Sequence, residues 1–212
     1  MNIKDAYDIW AKQYDTNENR TRDLERISLR TTLANINFER CLEVGCGTGK
    51  NTEWLATRAH QVTAIDLSSE MLAKAKQKIS ADNVLFVQAD ITKEWNFPHQ
   101  PFDLITFSLV LEHIENLEEV FEKLNLVTTD SAYVYIGELH PFKQYHGTKA
   151  RFETEEGLNI VTCFNHNISD FTISAKQNDF DLLEINEYFD ENDRTTIPRI
   201  LTILLRKRKT SL

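Results

Sequence analysis

The chain has 212 residues, of which 41% are hydrophobic and 27% charged; this suits one soluble domain with a sizeable core and excludes disorder. Lys plus Arg number 24 against 33 Asp plus Glu, a net charge of -9 that argues against nucleic acid or an anionic membrane as partner. The most apolar run, Ile200 to Leu205, is far short of the roughly 20 residues a membrane-spanning helix needs.

In chain order, Tyr7, Trp10 and Tyr14 stand at helical spacings, and residues 20–36 form an imperfect amphipathic helix. Strands are expected at 41–44, 62–65, 84–87, 103–107 and 132–136. Helices are expected between them at 50–59, at 69–80 behind the N-cap Ser68, and from Asn116 to about Val127. Short β-branched runs alternating with helices imply a parallel sheet covered on both faces, hence a doubly wound α/β fold. Residues 139–167 read as an irregular aromatic and basic insert, with a hairpin over 152–164 turning at Glu156-Gly157. A helix at 168–178 and two strands, 180–188 and 196–205, complete the chain; joined directly, those strands pair antiparallel. There is no repeat or linker, so 1–212 is read as one domain, with 1–36 as an N-terminal lid and helix and 139–167 as a substrate-capping insert.

Three of the six glycines (Gly45, Gly47 and Gly49) fall within five residues, between a strand and a helix. Glycine there permits positive φ and close approach of backbone to a ligand. Asp66 ends the next strand and can accept from ribose hydroxyls; Asp90 ends the third and can accept from an adenine amino group. The blander alternative is a tight turn with two ordinary loop acids. The Gly-x-Gly-x-Gly spacing is not the form that favours a pyrophosphate, no Walker frame is present, and Glu43 would repel phosphates but not an α-ammonium. Cys41, Cys46 and Cys163 read as reduced thiols, and no metal-ligand spacing occurs.

EVGCGTG, IDLSSEML, QADI and FDLITFSLVLEHI together resemble the class I, seven-stranded S-adenosylmethionine-dependent methyltransferases, over about residues 38–138 and the closing hairpin. The resemblance implies a Rossmann-like sheet closed by an antiparallel hairpin, with S-adenosyl-L-methionine as cofactor. It implies that Glu43, Gly45, Cys46 and Gly47 meet the methionine part of the cofactor. It further implies that Asp66, with Leu67, holds the ribose and that Met71 packs on the adenine. Asp90, with Ile91, would take the adenine amino group, and Ser108 and Leu109 would lie near the cofactor amino group. The start Tyr7-Asp-Ile-Trp10-Ala-Lys-Gln-Tyr14-Asp resembles the lid of small-molecule members, with Asp15 to Arg20 as its hinge; an amphipathic helix in the core is the alternative. Arg22 is read either as a clamp for the cofactor carboxylate or as a solvated charge.

Methyl transfer needs a base only when the acceptor must lose a proton, so a missing triad is no objection. His140, at the exit of the fifth strand, is the first choice for a base or acceptor-orienting group, His113 the second, and His146 and His166 weaker ones; each is otherwise a structural histidine. Lys143, Lys149 and Arg151 read as a solvated cluster or as partners of an acceptor carboxylate, and Arg206 to Lys209 as a solubilising tail. The expectation is a cytoplasmic enzyme, monomer or homodimer, that methylates a small-molecule acceptor. The rivals are a methyltransferase on a protein or carrier-bound acceptor, a nicotinamide-dependent oxidoreductase, and a non-catalytic cofactor-binding module.

Overall fold

The computed structural model describes residues 2–16, 18–97, 100–155 and 157–209. Its sheet holds β1 (Arg40–Val44), β2 (Gln61–Asp66), β3 (Val84–Gln88), β4 (Phe102–Ser108), β5 (Thr128–Leu139), β8 (Phe180–Tyr188) and β9 (Ile200–Lys207). The spatial order is β3-β2-β1-β4-β5-β9-β8. The first five strands are parallel, and β9 runs antiparallel to both β5 and β8. The order reverses between β1 and β4, where ligands bind in open α/β sheets.

Side chains alternate across the central strands, and both faces are dry. Leu42, Val44, Ile105, Phe107, Val134 and Ile136 enter one buried cluster with α5 (Leu117–Val127) and α7 (Ile168–Gln177). Cys41, Leu104 and Tyr135 point the other way, toward α2 (Arg20–Thr32), α3 (Thr52–Ala56) and α4 (Ser69–Lys78). Helix starts are fixed by side-chain caps: Asn19 accepts from the Arg22 amide, Ser68 from Met71 and Asn116 from Glu118.

Several boundaries differ from expectation. The third helix is one short turn, because the glycine loop takes up residues through Lys50. The last strand starts at Ile200 and not at 196, because the Asp193 side chain accepts from the Thr195 amide and hydroxyl and holds that stretch as a turn. The fifth strand is longer than expected and follows α5 without a loop. The insert after β5 contains α6 (Pro141–Tyr145) and a hairpin of β6 (Arg151–Thr154) and β7 (Gly157–Ile160). Its expected turn residue Glu156 lies outside the described residues, as does Asn17 in the expected hinge. The N-terminal segment is helical as α1 (Ile3–Trp10). With Met71, Phe152 and Val161 it forms a third buried cluster, apart from the two that cover the sheet. Among the described residues, no helix is long and apolar enough to cross a membrane.

Candidate active site

The carboxyl ends of β1, β2, β3 and β4 open into a cavity of about 440 Å³. Tyr14, Gly45, Gly47, Asp66, Leu67, Asp90, Ile91, Ser108, Leu109 and His113 all line it. Lys4 and Tyr7 of α1 line it too and roof it.

The glycine loop is shaped by what crowds it. Gly45 has φ +72°, and a Cβ there would stand 2.1 Å from Val110 Cγ2, so no side chain fits. The amides of Gly45 and Cys46 both donate to the Ile65 carbonyl, at 2.8 and 3.0 Å, tying the loop to β2. Asp66 then clasps two turns at once: one carboxylate oxygen accepts from the Gly47 amide and the other from the Ser68 amide, each at 2.8 Å. A carboxylate has about four acceptor directions, so capacity remains for a ligand's hydroxyls. Burial pushes the Asp66 carboxyl up to about 6, against those two amides, which pull it down. Asp90 accepts from the Thr92 amide and hydroxyl at 2.9 and 2.6 Å, which fixes the turn after β3. Leu109 holds φ 58°, a rare conformation for leucine, and its amide donates to the Gly137 carbonyl, ending β4 sharply at the cavity.

His113 follows on a single 3-10 turn, Leu111–His113. Glu138 fixes that turn, accepting from the amides of Val110, Leu111 and Glu112 at 2.9, 2.8 and 3.3 Å. The His113 Nδ1 lies 2.8 Å from the Thr162 carbonyl, which can only accept, so Nδ1 carries the proton. Nε2 is then an acceptor and takes the Tyr7 hydroxyl proton at 2.8 Å. Burial holds the Tyr7 phenol well above its ordinary range, so it remains the donor. Glu112 is buried beside this pair, with Oε1 3.9 Å from Nε2 and Oε2 without a hydrogen-bond partner. Glu112, His113 and Cys163 bring ligand-type atoms within 4.8 Å of one another.

Five expected site residues stand elsewhere. His140 is fully buried away from the cavity; its Nδ1 accepts from the Phe142 amide, capping α6, and its Nε2 faces Glu187 at 3.1 Å. Glu43 shares a strand face with Cys41, points beneath the loop and accepts from the Thr52 hydroxyl; burial pushes its carboxyl up to about 8. Cys46 is buried in the core on that face. Met71 is fully buried under α1 among Trp10 and Phe152. Arg22 stacks on the Tyr14 ring at 4.0 Å, donates to the Tyr14 carbonyl, and faces a second, polar cavity of about 510 Å³. Of the weaker candidates, His146 and His166 contact the carbonyls of Phe142 and Ile114, and Lys149 and Arg151 are exposed. Asn2, Lys4 and Thr92 are polar cavity residues with no expectation attached; the signal for Lys4 was the amphipathic start of α1, whose polar edge meets the cavity mouth.

Residues 42–136 match the family model described as a methyltransferase domain. A malonyl-[acyl-carrier protein] O-methyltransferase from Enterobacter lignolyticus is 32% identical over 105 residues, covering 48% of this chain and 41% of that protein. A trans-aconitate 2-methyltransferase from Escherichia coli is 36% identical over 107 residues, covering 50% of this chain and 40% of that protein. The chain thus spans about two fifths of the length of these curated relatives. A solved S-adenosylmethionine-dependent methyltransferase from Mesorhizobium loti superposes with a TM-score of 0.73 at 20% identity, over 87% of this chain and 98% of that one.

Proposed function

We propose that this chain, whose residues 42–136 match a methyltransferase domain, is a class I S-adenosylmethionine-dependent methyltransferase that transfers a methyl group to a small-molecule acceptor in the cavity beneath α1. The observation that carries this reading is the roof. Tyr7 and Lys4 line the same cavity as the glycine loop and Asp66, and a cavity partly covered by α1 suits a small acceptor better than a carrier's tethered arm. The malonyl-[acyl-carrier protein] relative favours the carrier-bound alternative.

S-adenosylmethionine is the cofactor, and the residues present fit it. The Gly45 position leaves backbone bare where a Cβ would collide with Val110, and the buried Asp66 carboxylate keeps acceptor capacity for the ribose hydroxyls. Asp90 and Ile91 would hold the adenine side, and Gly45, Gly47, Ser108 and Leu109 the methionine side. When bound, the cofactor supplies a methyl group activated by a sulfonium. The chain's task is to orient the acceptor, exclude water and receive a proton. His113 is the proposed proton acceptor: the Thr162 carbonyl fixes its tautomer, and its Nε2 accepts from Tyr7 at the cavity wall.

The test uses labelled cofactor with two fractions of a cell extract, a low-mass filtrate and a protein retentate. Label should enter the filtrate. His113→Asn should lower that transfer about 10²–10⁴-fold with demethylated-cofactor affinity unchanged. Label confined to the retentate would make the acceptor protein- or carrier-bound.

A further inference from the structure

The polar groups around the Tyr7–His113 pair are almost all of one kind. The His113 Nδ1–H is committed to the Thr162 carbonyl, and the Tyr7 hydroxyl proton is committed to His113 Nε2. What Tyr7 presents to the cavity is therefore the lone pairs of its oxygen. Glu112 adds a buried carboxyl group whose Oε2 lacks a partner. Lys4, the only lysine or arginine lining this cavity among the described residues, is ion-paired to Asp8 at 2.5 Å. Tyr14 packs over Gly47, on the glycine-loop side. A carboxylate or phosphonate brings only acceptors and a negative charge. It would face lone pairs, and the cation at the cavity, Lys4, is already neutralised by Asp8.

Resting on the methyltransferase reading, we propose that the acceptor is a nucleophile bearing an N–H or O–H and no negative charge, an amine or a phenol, held by Tyr7 Oη and backed by Glu112. This goes against the acids named for the two curated relatives. The acceptor's N–H or O–H donates to Tyr7 Oη, which already donates to His113 Nε2, so no existing bond must break for it to dock. In the transfer, the acceptor's lone pair forms the new bond to the methyl carbon. The methyl–sulfur bond breaks with its electron pair left on the now neutral sulfur. The acceptor's proton passes to Tyr7 Oη as the Tyr7 proton moves to His113 Nε2, leaving an imidazolium. Tyr7 is thus a catalytic residue supplied by the roof, and Glu112 a positioning residue whose carboxyl group favours the positive charge that develops on a neutral acceptor as the methyl arrives and that ends on the imidazolium.

The test compares matched aromatic probes of similar size but different charge, benzylamine, phenol and benzoate, titrated by NMR into the protein saturated with S-adenosylhomocysteine. Benzylamine or phenol should bind at least fivefold tighter than benzoate. The isosteric Glu112→Gln should weaken benzylamine at least fivefold and leave phenol nearly unaffected. Benzoate binding equally or more tightly, or no binding of benzylamine and phenol up to their solubility, would overturn the proposal. So would an unchanged benzylamine affinity in folded Glu112→Gln. Failure to saturate with S-adenosylhomocysteine would instead overturn the cofactor reading beneath it, so the two failures are distinguishable.

Discussion

Asp66→Ala should weaken S-adenosylhomocysteine binding at least tenfold and also lower the melting temperature. The ribose contacts are charge-assisted bonds worth roughly 1.5–3 kcal/mol each. The loss of stability has a separate cause, since Asp66 is the acceptor for the Gly47 and Ser68 amides. Without it, each amide that stays buried costs about 1–3 kcal/mol. The pH dependences of binding and stability should have opposite signs. Burial raises the Asp66 carboxyl from its ordinary value of 3.8 to about 6 in the free protein. Its contribution to folding is therefore complete below pH 3.8 and is lost as pH rises through about 6. Ribose hydroxyls, as donors, select the ionised form, so affinity should fall as pH drops below about 6, by at most about tenfold per unit. Calorimetry between pH 5 and 8 reads this directly; a flat affinity, or an unchanged dissociation constant in folded Asp66→Ala, would show that the ribose is held elsewhere.

Removing residues 1–14 should reduce turnover by about 10² or more while leaving the sheet folded. The deletion takes away Tyr7 and opens the cavity to water. It also uncovers Met71 and Phe152, so some stability is lost. The two clusters that cover the sheet contain no residue of α1, which is why the core survives. In the intact chain, residues 3–16 are held by a few polar contacts, among them Tyr7 to His113 at 2.8 Å, Ser68 to Asp8 at 2.6 Å, Thr48 to Asp15 at 2.6 Å, and Gln13 to the Glu153 carbonyl at 2.5 Å. Trp10 stacks on Phe152 with centroids 5.1 Å apart. Such a segment opens more easily than the sheet, and bound cofactor beneath it should hold it shut. Amide exchange in 3–16 should slow on adding S-adenosylhomocysteine, with β1, β4 and β5 unchanged. Equal protection with and without ligand, or global unfolding of the truncated chain, would make α1 a core element and not a lid.

Much of this architecture is written locally. Each central strand is a short β-branched or apolar run, and Ser68 and Asn116 signal helix starts through side chains that cap the next turn. The glycine loop and Asp66 were legible because both sit at strand ends, where chain order alone brings them to one edge. The misread residues depended on orientation, which spacing does not carry. Glu43 sits two residues after Cys41, so it shares that inward face and meets Thr52 and not a ligand. His140 leaves β5 at the binding edge, but its amide donates to the Arg199 carbonyl, and its ring turns toward Glu187 on the far side. The helical spacing of Tyr7, Trp10 and Tyr14 fitted a lid and a core helix equally, and spacing alone did not show that Tyr7 and Tyr14 line the cavity while Trp10 is buried behind them. The pairing of Tyr7 with His113 spans 106 residues and has no local signal at all.

The proposed cofactor pose runs along the carboxyl edge, adenosine over β2 and β3, with the sulfur turned toward Tyr7 and His113. A crystal structure with S-adenosylhomocysteine tests it most directly. It should show the ribose hydroxyls on Asp66, the adenine beside Asp90 and Ile91, and the sulfur on the β4 side, facing an open space walled by Tyr7 Oη and His113. A sulfur directed away from that pair, into the second cavity behind Tyr14 and Arg22, would contradict it.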